Sequence, residues 1–232
     1  MGEIGLRFRF GRLVWTVLVT FYFLVFFRNF FADALSGSTL LPVLFAYVFV
    51  LWLSVEYYVG SPFFQSGVVE ASALWRGVFA FFVYPFLGYV AADYIWWHWT
   101  QIPLPGAVFG VLGLAVFGLG VYIRLSTLLG LVAVESQPKP GQRAFLEKKF
   151  VALRFQQMCR HPRYLAVLVL MVGAALAFNS WGGLVLAGVI GLPLVLLQVR
   201  HEDKMLKGLL KTEGKRYFEQ VPAFWPRFRR SD

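Results

Sequence analysis

Apolar runs long enough to cross a bilayer recur along this chain, and no other feature restricts its fold as strongly. A hydrocarbon core about 30 Å thick demands roughly 18–20 consecutive apolar residues in a helix. Runs at about residues 13–31, 40–59, 73–95 and 106–134 each meet that length and read as four spanning helices. Turn-forming residues separate them: Ser36-Gly37-Ser38 after the first and Gly60-Ser61-Pro62 after the second. The third ends in Trp96-Trp97-His98-Trp99, followed by Pro103 and Pro105, the pattern of an aromatic belt at a membrane interface. The composition agrees, with 59% hydrophobic and 15% charged residues. Soluble domains carry roughly 45–50% apolar and about 25% charged residues, so the composition points away from a water-soluble fold. Because the runs continue through the chain, a secreted protein with one cleaved leader is excluded too.

The second half is organised differently. The fourth run is Gly-rich, which permits close helix packing, and carries Arg124 well inside its length. Residues 135–163 are polar, with Pro138, Pro140, Gly141 and seven basic residues, and belong outside the hydrocarbon. Two apolar runs follow, 164–178 and 181–199, parted only by Asn179-Ser180. They predict a helical hairpin, with Pro193 able to kink its second arm. From Arg200 to Arg230, Met205, Leu206, Leu209, Leu210, Tyr217 and Phe218 recur at helical spacing among Lys and Arg, which predicts an amphipathic surface helix. The expected fold is thus an all-α polytopic membrane helix bundle: four spans, a C-terminal helical hairpin and a cytoplasmic amphipathic helix. Residues 1–105 form an N-terminal transmembrane region and 106–232 a second region that carries the chemistry.

The net charge of +10 fits nucleic acid, anionic lipid or membrane topology, and position decides among them. Sixteen of the 22 Lys and Arg residues lie from Lys139 onward, and Arg7, Arg9 and Arg12 cluster at the N-terminus. Both clusters flank apolar segments, so membrane lipids and not nucleic acid are the expected partners. Counting spans from the basic N-terminus puts both termini in the cytoplasm and the loop from Trp96 to Pro105, which lacks Lys and Arg, outside. The single Cys159 excludes an internal disulfide and a multi-cysteine zinc site, and no metal is expected.

Ionisable groups inside spans are costly unless paired or hydrated, which singles out Glu56, Asp93 and Arg124. Glu56 and Asp93 lie near predicted helix ends, where a structural or boundary role is favoured. Arg124 is deeper, and structural and functional roles stand level. His98 reads as an interface residue, and Glu135 and Glu147 as solvated. The informative constellation is Arg160-His161-Pro162-Arg163-Tyr164, separated by the apolar hairpin from Arg200-His201-Glu202-Asp203, then Gly214, Tyr217 and Pro226. A hairpin folds its two ends together, gathering cations, imidazoles, a phenol and carboxylates into one volume. Such a set can grip a zwitterionic ligand: carboxylates accept from an ammonium or ribose hydroxyls, Arg pairs with a carboxylate, and aromatic rings take an adenine or sulfonium. Spacing alone slightly favours snorkelling and topology-setting residues at helix ends, with Glu202 and Asp203 pairing locally with Lys.

The order Arg-His-Pro-x-Tyr, apolar hairpin, Arg-x-Glu-Asp/Glu-x-x-Leu, Gly-x-x-Tyr and a late Pro resembles the isoprenylcysteine carboxyl methyltransferase and phospholipid methyltransferase superfamily. The similarity runs from about Gly120 to Pro226 and includes Gly120-Val121-Tyr122-Ile123-Arg124 and Leu129-Gly130 before the polar stretch. The chain departs from that pattern at Ala166, where Gly is usual, at Arg154-Phe155-Gln156, where Gly-x-Tyr is usual, and at Asp203, where Glu is commoner. The resemblance implies S-adenosylmethionine as methyl donor and a lipophilic small molecule or lipidated cysteine as acceptor, arriving from the bilayer. It implies that Arg160, His161, Pro162, Tyr164, Glu202 and Tyr217 form the cofactor site. Arg124 and Arg200, with Glu202, would act on the acceptor. Two other readings stay open: an NADPH-dependent membrane reductase of the sterol reductase type, whose C-terminal architecture is similar, and a non-catalytic membrane scaffold or small transporter.

Overall fold

The structure, a computed structural model, describes residues 40–59, 77–78, 80–103, 106–135, 158–209 and 218–224. The expected first span, the basic N-terminus, most of the polar stretch, and Gly214, Tyr217 and Pro226 lie outside the described residues. Among the described residues the fold is all-helical, with strand-like pairing limited to an isolated bridge between Gln101 and Ser180. The helices are α1 (Leu40–Val59), α2 (Leu87–Ala92), α3 (Gly106–Glu135), α4 (Pro162–Ala177), α5 (Trp181–Leu186) and α6 (Leu192–Leu209). Among the described residues two helical stretches, Val108–Gly130 and Trp181–Lys204, are long and apolar enough to cross a membrane.

The third apolar run is not one uninterrupted α-helix. Wider π-helical turns, Phe82–Phe86 and Asp93–Trp97, flank α2, and the first contains Pro85. Proline has no N–H to donate and crowds the carbonyl four residues back, so a locally wider turn relieves it. Near Pro193, where a kink was expected, another π turn, Ala187–Gly191, immediately precedes α6. A second correction concerns the tail. Helix α6 runs from Leu192 straight through Arg200 to Leu209, so no separate surface helix begins at Arg200. Nothing at Arg200 breaks a helix, and the change there from apolar to charged residues marks a change of surroundings.

Helices α3 and α4 form the most extensive pair among the described elements. They run antiparallel in a register fixed by small residues: Gly113 meets the Ala177 backbone, Gly173 meets Phe117, and Gly120 meets Leu170. A Cβ at Gly173 would lie 2.5 Å from the Phe117 amide nitrogen, so only glycine permits this approach. Phe117 is also the hub of the aromatic core. Its ring meets Phe45 edge-on at 4.6 Å and Trp52 at 6.0 Å, both from α1, and Phe45 in turn meets Phe178 at 5.0 Å.

At the far end of α4 the chain reverses through Phe178, Asn179 and Ser180. Asn179 takes the left-handed conformation (φ 53°), and the Ser180 hydroxyl caps α5 by accepting from the Gly183 amide at 3.1 Å. Asp93, fully buried, ties this turn to the loop after α2. Its carboxylate accepts from the Trp99 amide (2.9 Å), the Thr100 amide (3.2 Å), the Thr100 hydroxyl (2.6 Å) and the Ser180 hydroxyl (3.3 Å). Asp93 therefore has a structural role, holding two segments together. Around it Trp96, Trp97, Trp99 and Trp181 are exposed, and His98 is exposed with Nδ1 2.7 Å from the Gln101 amide.

Candidate functional site

The opposite end of α4 carries the constellation. His161 precedes the helix, and Pro162 occupies its first turn, where a missing N–H leaves no intrahelical bond unmade. The return through α5 and α6 brings Gln198, Glu202 and Asp203 alongside. Glu202 Oε1 accepts from Arg163 Nη2 at 2.7 Å, and the same nitrogen donates to the Tyr164 hydroxyl at 2.7 Å. Gln198 Nε2 donates to that hydroxyl from the other helix at 3.0 Å, and the Arg163 guanidinium lies 4.7 Å over the Tyr164 ring. Tyr164, His161, Gln198 and Glu202 are all buried.

His161 stands between two carboxylates. Its Nδ1 is 3.3 Å from Glu202 Oε2 and its Nε2 is 2.7 Å from Asp203 Oδ1. An ionised carboxylate only accepts, so both ring nitrogens must carry protons to make both bonds, and the ring is an imidazolium. Burial alone would lower the His161 pKa, but the hydrogen bonds and charges of Asp203 and Glu202 outweigh it and hold the ring above its ordinary value. Asp203 is shared with Arg160, whose Nη2 lies 3.2 Å from Oδ2.

Arg160 and His161 also fasten a segment from the C-terminal tail. The Arg160 amide donates to the Pro222 carbonyl (2.9 Å) and the His161 amide to the Ala223 carbonyl (3.1 Å). Arg160 Nη1 donates to the Phe218 and Val221 carbonyls at 2.9 and 3.0 Å. Its guanidinium lies 4.5 Å over the Phe218 ring, and Phe224 faces the His161 ring at 6.4 Å. The amide and carbonyl contacts leave Arg160 Nε buried and without a hydrogen-bond partner among the described residues.

Arg124 approaches from α3. Its Nε and Nη2 lie 2.9 and 2.8 Å from Glu56 Oε1 on α1, with both side chains 4% exposed, and Nη1 donates to the Arg163 carbonyl at 3.3 Å. Glu56, for which a structural or boundary role was favoured, is structural: it is sealed in an ion pair between helices and not at a boundary with water. The antiparallel register that sets Gly120 against Leu170 carries Arg124, one turn further, to the first turn of α4.

Of the expected site residues, Arg160, His161, Pro162, Tyr164 and Glu202 are brought together, and Arg124 touches the cluster through a backbone carbonyl. Arg200 is not. It is exposed, and two residues from Glu202 on an α-helix means about 200° around the axis, so one cannot enter the cluster from the face the other occupies. Tyr217 lies outside the described residues. Gln198 was not foreseen, although it sits four residues before Glu202 and so on the same helical face. No family model, no curated protein and no solved structure matches this chain.

Proposed function

We propose that the chain is a polytopic membrane methyltransferase that uses S-adenosylmethionine to methylate a lipophilic acceptor, as its resemblance to the isoprenylcysteine carboxyl and phospholipid methyltransferases implies. The observation that carries the reading is the meeting of the motif's two halves: Arg160, His161 and Arg163 pair with Glu202 and Asp203 across the apolar turnaround. In this reading the bundle has four spans and the C-terminal hairpin, both termini are cytoplasmic, and the site lies at the cytoplasmic face. The two stretches of spanning length and the shorter apolar helices Tyr47–Glu56 and Pro162–Ala177 support that arrangement.

The donor set suits such a cofactor. Arg160 Nε is a buried cationic donor with no partner among the described residues, suited to the carboxylate of an amino-acid moiety. Glu202 and Asp203 keep unused lone pairs for an ammonium or hydroxyls, since each oxygen can accept two bonds. When bound, S-adenosylmethionine supplies an electrophilic methyl group. The protein's part is then to hold donor and acceptor close and to exclude water. His161 has no lone pair to spare while both nitrogens are engaged, so it is not a general base. That favours an acceptor already nucleophilic at neutral pH, such as a carboxylate, over one that must first lose a proton.

Equilibrium binding of labelled S-adenosylmethionine to the purified protein in lipid nanodiscs tests the reading. Saturable binding is expected, with NADPH failing to compete, and Glu202→Gln should weaken it by about 10–100-fold, the worth of hydrogen bonds to a charged group. Glutamine keeps the side-chain volume. Selective NADPH binding would favour the reductase reading, and a folded protein that saturates with neither cofactor would favour the scaffold.

A further inference from the structure

A second charged feature lies on the outer face of α6. Arg200, Lys204 and Lys207 are all exposed, and positions i, i+4 and i+7 fall within about 60° of one another around a helix. The carboxylates of the same turns do not neutralise them. Glu202 is buried against Arg163 and His161, and Asp203 is taken by Arg160 and His161. Lys207 is already placed, its ammonium 5.3 Å over the Phe218 ring.

The axial position of the stripe identifies what it faces. Trp181, exposed and joined to the loop holding the exposed Trp96, Trp97 and Trp99 by a 2.8 Å bond to the Thr100 carbonyl, marks one aromatic boundary. From Trp181 to Arg200 is 19 steps of about 1.5 Å, or roughly 28 Å, close to a hydrocarbon thickness of about 30 Å. Between them the outward residues Val185, Val189, Ile190, Leu192, Leu196 and Leu197 are apolar and exposed, as a lipid-facing surface requires. Arg200 thus stands at the far edge of the hydrocarbon. Lys204 and Lys207 extend about 10 Å beyond it, through the depth of a headgroup layer.

We infer that Arg200, Lys204 and Lys207 form a docking stripe for the headgroup of an anionic phospholipid, its acyl chains lying along the exposed apolar face of α5 and α6. This is a site separate from the buried cluster, on the opposite side of the same helix. It assigns Arg200 to lipid and not to the reacting groups.

The test uses the purified full chain in neutral detergent, with lipid retention followed by native mass spectrometry. Short-chain phosphatidylglycerol should bind at least about tenfold more tightly than phosphatidylcholine of the same chain length. Each Lys or Arg near an anionic surface contributes about fivefold, so R200Q/K204Q/K207Q should lose on the order of 100-fold and K204Q about fivefold. Since all three side chains are exposed, the thermal transition should stay in place. Millimolar inorganic phosphate should not displace the lipid. Equal retention of the two lipids, unchanged phosphatidylglycerol binding by the triple variant, or full displacement by inorganic phosphate would each overturn the assignment. No methyl donor enters the assay, so its result is independent of the proposed methyl transfer.

Discussion

Removing one partner of the Glu56–Arg124 pair should destabilise the protein far more than removing both. The two side chains are each 4% exposed and joined at 2.8 and 2.9 Å, so neither charge has water to fall back on. Breaking such a buried pair from one side costs about 3–5 kcal/mol, because the surviving charge is left uncompensated. Arg124→Met strands the carboxylate; Glu56→Gln strands a guanidinium that cannot shed its proton. The double variant strands neither. It loses the Arg124 bond to the Arg163 carbonyl, 3.3 Å long and worth about 1 kcal/mol, together with smaller polar and packing contacts. Reversible unfolding by dodecyl sulfate in mixed bicelles measures all four proteins. Single variants should lose about 3–5 kcal/mol each and the double about 1–2 kcal/mol, a coupling of several kcal/mol. If the double variant's loss equals the sum of the singles to within about 0.5 kcal/mol, the two charges are independent and the reasoning fails.

Four further outcomes follow from other parts of the structure. Gly173→Ala should cost about 1–3 kcal/mol, since its Cβ would lie 2.5 Å from the Phe117 nitrogen. Gly118→Ala, which meets nothing within 4 Å, should be neutral or stabilising by up to about 1 kcal/mol in the same unfolding assay. His161 is held protonated in the folded state, its pKa above the ordinary 6.5, so the native protein binds the extra proton. Its contribution is therefore complete below about pH 6.5 and lost as pH rises through the folded value, giving stability a negative slope of up to about 1.4 kcal/mol per pH unit. His161→Asn should flatten that slope, and parallel curves for the two proteins would contradict it. Burial pushes the Cys159 thiol up to about 11, so a maleimide should leave it unmodified in the folded protein at pH 7.4 and label it after unfolding.

What could be read in the sequence was what depends on neighbours along the chain. Helix α1 covers the expected residues, an apolar run interrupted only by Ser54 and Glu56 and followed in the sequence by Gly60-Ser61-Pro62. The meeting of Arg160–Tyr164 with Glu202 and Asp203 was legible because the turn at Asn179-Ser180 lies nearly midway between them. The rest depends on contacts with no local signature. Glu56 and Arg124 are 68 positions apart, and nothing in either neighbourhood names the other. Arg200 was expected with Glu202 because they adjoin in the chain, but helical rotation separates neighbours as surely as it unites residues four apart. The first π turn needed Pro85 to be read as the cause of a wider turn and not merely as a break.

The hold on segment 218–224 is written almost entirely in main-chain oxygens. Four of its bonds end on the carbonyls of Phe218, Val221, Pro222 and Ala223, which every amino acid supplies alike. Side chains at Val221 and Ala223 are consequently free to change, whereas adding or deleting one residue there would slide every oxygen out of reach of Arg160 and His161. Spelling is loose in this part of the polypeptide, and length is the quantity under constraint.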